Sequence, residues 1–316
     1  MIKISFLFSA VFFIFGCATE TKYLVKKPFL YEAVKGNRKA YFFGSMHYGI
    51  EMGDMPKGFW TYVDNSDIVV TEIDTRVDEQ KQEYALTTPY IKRSENGKRI
   101  KDAITPDEYK TLVEKLKEIR SKETIVDIEN ALDTFSLFGV RNILSNTSEL
   151  AHVGSLEYGD WVRVRTKFML DRQIRDYAVD AKKYVDHLDD RLSIEWTKCL
   201  VGTDDDNIKD IRLLLKNKIL VQDFAEFENA FRDYRDGLAR GERYLQLPVC
   251  LLEGRNKKWM EKISATINNY KSPFFVIGAL HLTADKGSLI EMLKAQNYTV
   301  RRVEELDIRP IPYPAR

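Results

Sequence analysis

Cysteine and histidine are scarce in this chain, with 3 Cys and 4 His in 316 residues. No Cys-x-x-Cys occurs, and Cys17, Cys199 and Cys250 lack zinc-finger spacing, which excludes the common structural-zinc and dithiol motifs. Charge of one sign is also missing. The 49 basic residues are matched by 48 acidic ones, for a net +1. No field of that size argues for nucleic acid or an acidic surface as the main partner. There is no Gly-x-Gly-x-x-Gly and no Walker loop, which removes the usual nucleotide cradles. There is no Gly-x-Ser-x-Gly elbow, so a serine hydrolase built on Ser45 is disfavoured. No repeat, low-complexity linker or bilayer-length apolar run appears.

The remaining composition is that of a globular protein, 44% hydrophobic and 31% charged, with ample core material for one large domain or two smaller ones. Its N-terminus stands apart. Met1-Ile2-Lys3 is a basic start, Ile4 to Phe15 is almost wholly apolar, and Gly16-Cys17-Ala18 follows. The run has the length of a signal-peptide core. Ile14-Phe15-Gly16-Cys17 resembles a bacterial lipobox, although Phe15 is bulky for that pattern. On this reading residues 1–16 are the signal, Cys17 carries lipid, and residues 17–36 are tether and lead-in. An ordinary cleaved signal or an uncleaved anchor would also export the chain. Lipid at Cys17 would hold the protein on a membrane without spanning it. Ala18 is not the aspartate linked to inner-membrane retention, which favours the outer membrane of the cell envelope. Export permits a disulfide, but spacing does not assign one to Cys199 and Cys250. Cys250 lies in the apolar run from Leu247 to Leu252 and reads as a buried free thiol.

Two matching stretches organise the rest. Ala40-Tyr41-Phe42-Phe43-Gly44-Ser45-Met46-His47 and Pro273-Phe274-Phe275-Val276-Ile277-Gly278-Ala279-Leu280-His281 are each an apolar run followed by Gly-x-x-His. Such runs read as buried strands. Each histidine then falls just past a carboxyl strand end, where open α/β sheets bind ligands. Two such matches among four histidines would arise by chance on the order of 1–2% of the time. The matching strands lower that figure.

Further elements follow from pattern. Tyr31 to Val34, a turn at Lys35-Gly36-Asn37, and Lys39 to Phe43 read as a hairpin. A short helix is expected over Gly58 to Asn65, then a strand from Asp67 to Asp74. This order predicts a parallel βαβ-type unit and an α/β fold with a central, mostly parallel sheet. Residues from about 76 to 270 read as mainly helical. Thr105-Pro106-Asp107-Glu108 is a capping box opening a helix to about Arg120. Helices are also expected over Val126 to Leu144, Trp161 to Ala181, Ile208 to Leu238 with a break near Lys216, and Glu253 to Tyr270. Asp204-Asp205-Asp206 reads as a helix start rather than a calcium loop, which would need a Gly and a distal Glu. A helix over Lys286 to Gln296, a strand over Tyr298 to Val303 and an irregular tail close the chain.

Three polar residues stand at predicted strand ends: His47, Glu72 and His281. Two imidazoles and a carboxylate form a common set for a catalytic divalent metal with one position open to water. Glu72 could instead be the general base, and Asp74 shares its face as a helper. Arg255, at the start of the helix before the second Gly-x-x-His, could hold a carboxylate or an oxyanion; on its own it reads as a surface ion pair. His152 and His187 lack a strand context, and His187 reads as a solvated helix end.

At these residues the chain resembles the TraB/GumN family, which includes the TIKI proteases. Gly44, His47, Pro56, Asp67 and Glu72 are similar to that family's first block. Arg255-Asn256, Trp259 and Phe274 to Leu282 are similar to its last. Leu170-Asp171 and the helix after them match its middle more loosely. Ser45 stands where the family often has Thr. The resemblance covers roughly residues 37 to 305 as one domain. It implies an α/β fold related to erythromycin-esterase-like and ChaN-like proteins, and a divalent-metal hydrolase whose metal, among manganese, cobalt and zinc, the sequence does not identify. It implies His47, Glu72, His281 and Arg255 as the site, and a peptide or protein substrate. The competing reading is a non-catalytic envelope protein that binds a small ligand, peptide or haem in the same cleft, with Tyr48 beside His47.

Overall fold

A tight turn opens the sheet. β1 (Phe29–Lys35) and β2 (Arg38–Ser45) pair antiparallel, from Phe29 opposite Gly44 to Lys35 opposite Arg38. Gly36 between them takes φ +60°, the left-handed backbone that two-residue hairpin turns require. The computed structural model describes residues 24–46, 50–73, 89–119, 124–144, 170–189, 199, 201–216, 231–238, 250–284 and 286–309. Cys17, His47, Tyr48, Asp74 and His152 lie outside them.

From β2 the helix Lys57–Asp64 leads to β3 (Ile68–Thr71). β4 (Tyr184–His187), β5 (Pro273–Gly278) and β6 (Thr299–Arg302) complete the sheet. Its order is β4-β3-β5-β2-β1-β6. β2, β3, β4 and β5 are parallel, and β1 runs against both of its neighbours. This is the expected mixed α/β fold with a mostly parallel sheet. The lead-in is more than a tether, since it supplies β1.

The three central strands are buried along their apolar lengths because helices cover both faces. On one face Phe43, Val69, Phe274 and Val276 meet Phe59, Trp60 and Val63 of the Lys57–Asp64 helix, and Leu170 and Ile174 of the Leu170–Asp180 helix. On the other, Phe42, Val70, Phe275 and Ile277 meet Trp259, Met260, Ile263 and Ile267 of the Arg255–Asn269 helix. Phe42 and Phe275 stack across β2 and β5, with centroids 4.7 Å apart. Each such side chain stabilises the fold by roughly 1.5–3 kcal/mol through burial.

A separate core forms in the chain's middle, where Leu112, Val113 and Leu116 pack with Ile128, Leu132, Val140, Ile208 and Ile211. The capping box is present: Thr105 N–H donates to Glu108 (2.8 Å) and Glu108 N–H to the Thr105 hydroxyl (3.2 Å), at the head of the Pro106–Ile119 helix. Thr203 and Asp206 exchange the same pair of bonds at the head of Asp204–Lys216, so the acidic run is a helix start. One expected helix is two. Val126 to Leu144 divides into Ile125–Thr134 and a second helical stretch at 137–144. The break is tertiary, because Phe135 forms a β-bridge to Lys92 and Ser136 caps the next turn by accepting from Gly139 N–H (2.9 Å). Nor is the middle wholly helical, since β4 lies within it. Among the described residues no helix is long and apolar enough to cross a membrane.

Candidate functional site

β5 enters the sheet between β3 and β2. That insertion makes the two Gly-x-x-His strands parallel neighbours, with Gly44 opposite Ile277 and Ser45 opposite Gly278. Both motifs therefore leave the sheet at one edge, offset by a residue. β3 ends at the same edge with Thr71 opposite Val276, and β4 with His187 opposite Thr71.

Beyond β5 the chain turns into a short helix, Ala279–Thr283, so the buried His281 stands within a helical turn rather than in a loop. Gly44 permits the close approach this needs. A Cβ there would lie 3.0 Å from both the Ala279 Cα and the Phe29 Cβ.

Asn256 orients His281. Its side-chain nitrogen donates to the backbone carbonyls of Gly287 (2.8 Å) and His281 (3.2 Å). The amide oxygen therefore faces His281 Nδ1, at 2.6 Å, and Nδ1 must be the donor. In the neutral imidazole the lone pair is then on Nε2, 3.8 Å from Glu72 Oε1. The Trp259 ring packs against the imidazole, with centroids 4.5 Å apart.

Glu72 follows β3 and is buried. Its Oε2 accepts from Gly278 N–H (3.1 Å) and its Oε1 pairs with Arg255 Nη1 (2.5 Å). Arg255 is an interior cation, with its side chain 13% exposed. Its ion pairs are therefore interior, not the surface pair that its sequence position suggests. Its guanidinium also binds Asp189, through Nε (3.1 Å) and Nη2 (2.5 Å), and lies 4.6 Å from the Trp259 ring centroid. Trp259 Nε1 donates to the other Asp189 oxygen (2.6 Å). The cluster is thus two buried carboxylates, one guanidinium and one imidazole tied together through Trp259 and Asn256.

Asp189 is the member that sequence reading missed. It lies two residues past β4, and its N–H continues the ladder by donating to the Glu72 carbonyl (2.9 Å). The only signal was the short Tyr-Val-Asp-His segment before it. His187, expected as a solvated helix end, closes β4 instead.

Tyr234 holds the end of β2. Its hydroxyl donates to the Gly44 carbonyl (2.8 Å) and accepts from the Met46 backbone. Burial pushes this phenol well above its usual range, and the Asp171 carboxylate adds to the effect. Ser45 is buried, and among the described residues its hydroxyl has no hydrogen-bond partner.

His281 Nε2 and a Glu72 oxygen are two suitable donors for a divalent metal. Among the described residues no group of three His, Cys, Asp or Glu side chains is placed to hold one. The third expected ligand, His47, lies outside them. Cys199 is disulfide-bonded.

The sequence model of the TraB/PrgY/gumN family matches residues 29–302. The chain belongs to this family. No curated protein and no solved structure matches it. The TraB/PrgY/gumN match runs from the first residue of β1 to the last of β6, and so takes in every strand end that builds the cluster.

Proposed function

We propose that this protein is an exported, lipid-anchored hydrolase that uses a divalent metal at the carboxyl edge of its sheet, with peptides as substrates. One observation carries the proposal. Asn256 fixes the His281 tautomer so that the Nε2 lone pair faces a carboxylate, which is how ligating histidines are commonly oriented. His281, Glu72 and, from the motif, His47 would hold the ion. Bound there, a divalent metal lowers the pKa of a coordinated water and polarises a carbonyl.

The chain's own groups prepare that chemistry. Arg255 and the Gly278 N–H fix both oxygens of Glu72. Asp189 and Trp259 fix Arg255 in turn, and so hold its guanidinium against Glu72. The lipobox-like start supports export, and a disulfide at Cys199 agrees with an oxidising compartment.

Metal analysis of the purified protein tests the proposal. A stoichiometric divalent ion that is lost in a His47→Ala, His281→Ala double variant is the expected result. Metal-free protein that shows a Soret band on adding haem would replace it with the ligand-binding alternative.

A further inference from the structure

The residues ahead of β1 lie at the same sheet edge as the site. β1 is antiparallel to β2, with Phe29 opposite Gly44, so the chain enters β1 where β2 ends. Hydrogen bonds hold the entry in place. Val25 is fully buried, and its N–H donates to the Asp54 carbonyl (2.8 Å), in the segment that follows His47. Lys26 N–H donates to the Arg235 carbonyl (2.8 Å), beside Tyr234. The Arg302 guanidinium donates to the carbonyls of Lys27 (2.7 Å) and Pro28 (3.2 Å). The lead-in is therefore part of the folded body, and few residues separate it from Cys17.

We infer that the protein rests with the carboxyl edge of its sheet on the bilayer, so that the site opens towards the lipid surface. The inference builds on the lipid anchor proposed above. The seven or so residues between Cys17 and the lead-in reach at most about 25 Å. A strand the length of β2 spans about the same distance, so the opposite edge stands a strand length further from the anchor. The docking edge presents exposed Lys26, Lys57 and Lys286, and the far edge presents Lys35, Lys182 and Lys271. Lys26 Nζ is paired with Asp236 (2.9 Å), so the ammonium groups that suit anionic headgroups are those of Lys57 and Lys286. A substrate then reaches Glu72 and His281 from the membrane side, which favours chain segments held at the bilayer over folded proteins in solution.

Lysine footprinting tests the orientation. The full lipidated protein is placed in phosphatidylethanolamine–phosphatidylglycerol vesicles and acetylated with a water-soluble ester. A variant with a twenty-residue Gly/Ser insert between Cys17 and Leu24 is treated alongside. With the native tether, Lys26, Lys57 and Lys286 should label several-fold more slowly than in the lengthened variant, while Lys35, Lys182 and Lys271 label alike in both. Equal labelling of the two sets, or protection of the far set, overturns the orientation. The mass of the N-terminal peptide separates the two failures. An acylated Cys17 without edge protection overturns the orientation alone, whereas an unacylated Cys17 overturns the anchor and the orientation with it.

Discussion

Arg255 and Asp189, 66 residues apart in the chain, meet through two hydrogen bonds to one carboxylate oxygen. Another nitrogen of the same guanidinium holds Glu72. Arg255 thereby ties the ends of β3 and β4 to the Arg255–Asn269 helix. Replacing it with Met should leave both carboxylates buried without that cation and destabilise the protein by roughly 3–5 kcal/mol. Arg255→Lys should recover only part of this, since an ammonium lacks the planar fork. Urea unfolding of the three proteins reads the difference, and equal midpoints would contradict the role.

The ends of this site were legible in the sequence and its middle was not. Two apolar runs followed by Gly-x-x-His gave β2 and β5, and Asp67 to Asp74 gave β3, because strands buried on both faces must be continuously apolar. Asp189 was hidden for the opposite reason. β4 is a short edge strand whose residues are not fully buried, so Tyr184 to His187 carries no such run. The break at Phe135 was invisible because its bridge partner Lys92 is distant in sequence. The motif placed Asn256 beside Arg255, but only geometry shows which imidazole nitrogen it binds.

Asn256 should matter through His281. Asn256→Ala removes the acceptor on Nδ1 and the donors to the Gly287 and His281 carbonyls. Removing a group that orients a ligating histidine typically weakens metal binding by about 10–100-fold. Calorimetric titration with manganese, cobalt or zinc should show that loss, and His281→Ala should weaken binding at least as much. Unchanged affinity in both variants would remove His281 from the metal set.

Gly44 is predicted to be intolerant of even one methyl group. An alanine Cβ would lie 3.0 Å from the Ala279 Cα and the Phe29 Cβ, and 3.2 Å from the Ala279 Cβ. The first is a backbone atom and the other two are Cβ atoms held close to backbone, so relief comes from small shifts of β1 or of the Ala279–Thr283 helix that carries His281. Gly44→Ala should cost about 1–3 kcal/mol, the usual range for overpacking. Gly254→Ala is the control, since a Cβ there meets nothing within 4 Å. Thermal unfolding of the two variants should differ clearly, and similar values would refute the packing argument.

Alkaline stability should depend on Tyr177. Its hydroxyl donates to Asp64 Oδ1 at 2.5 Å. Burial, then the hydrogen bond and charge of Asp64, push the phenol up to about 12. The unfolded phenol ionises near pH 10. Between these values the unfolded chain binds fewer protons than the folded one, so stability falls as pH rises. The contribution is complete below about pH 10 and is lost on passing about pH 12. The site is partly solvated, so Tyr177→Phe should lower stability at pH 8 by no more than about 1 kcal/mol. The gap between wild type and variant should narrow from pH 10 and close near pH 12, measured by urea unfolding at each pH. A gap that stays constant across that window would show that the hydrogen bond to Asp64 is not its source.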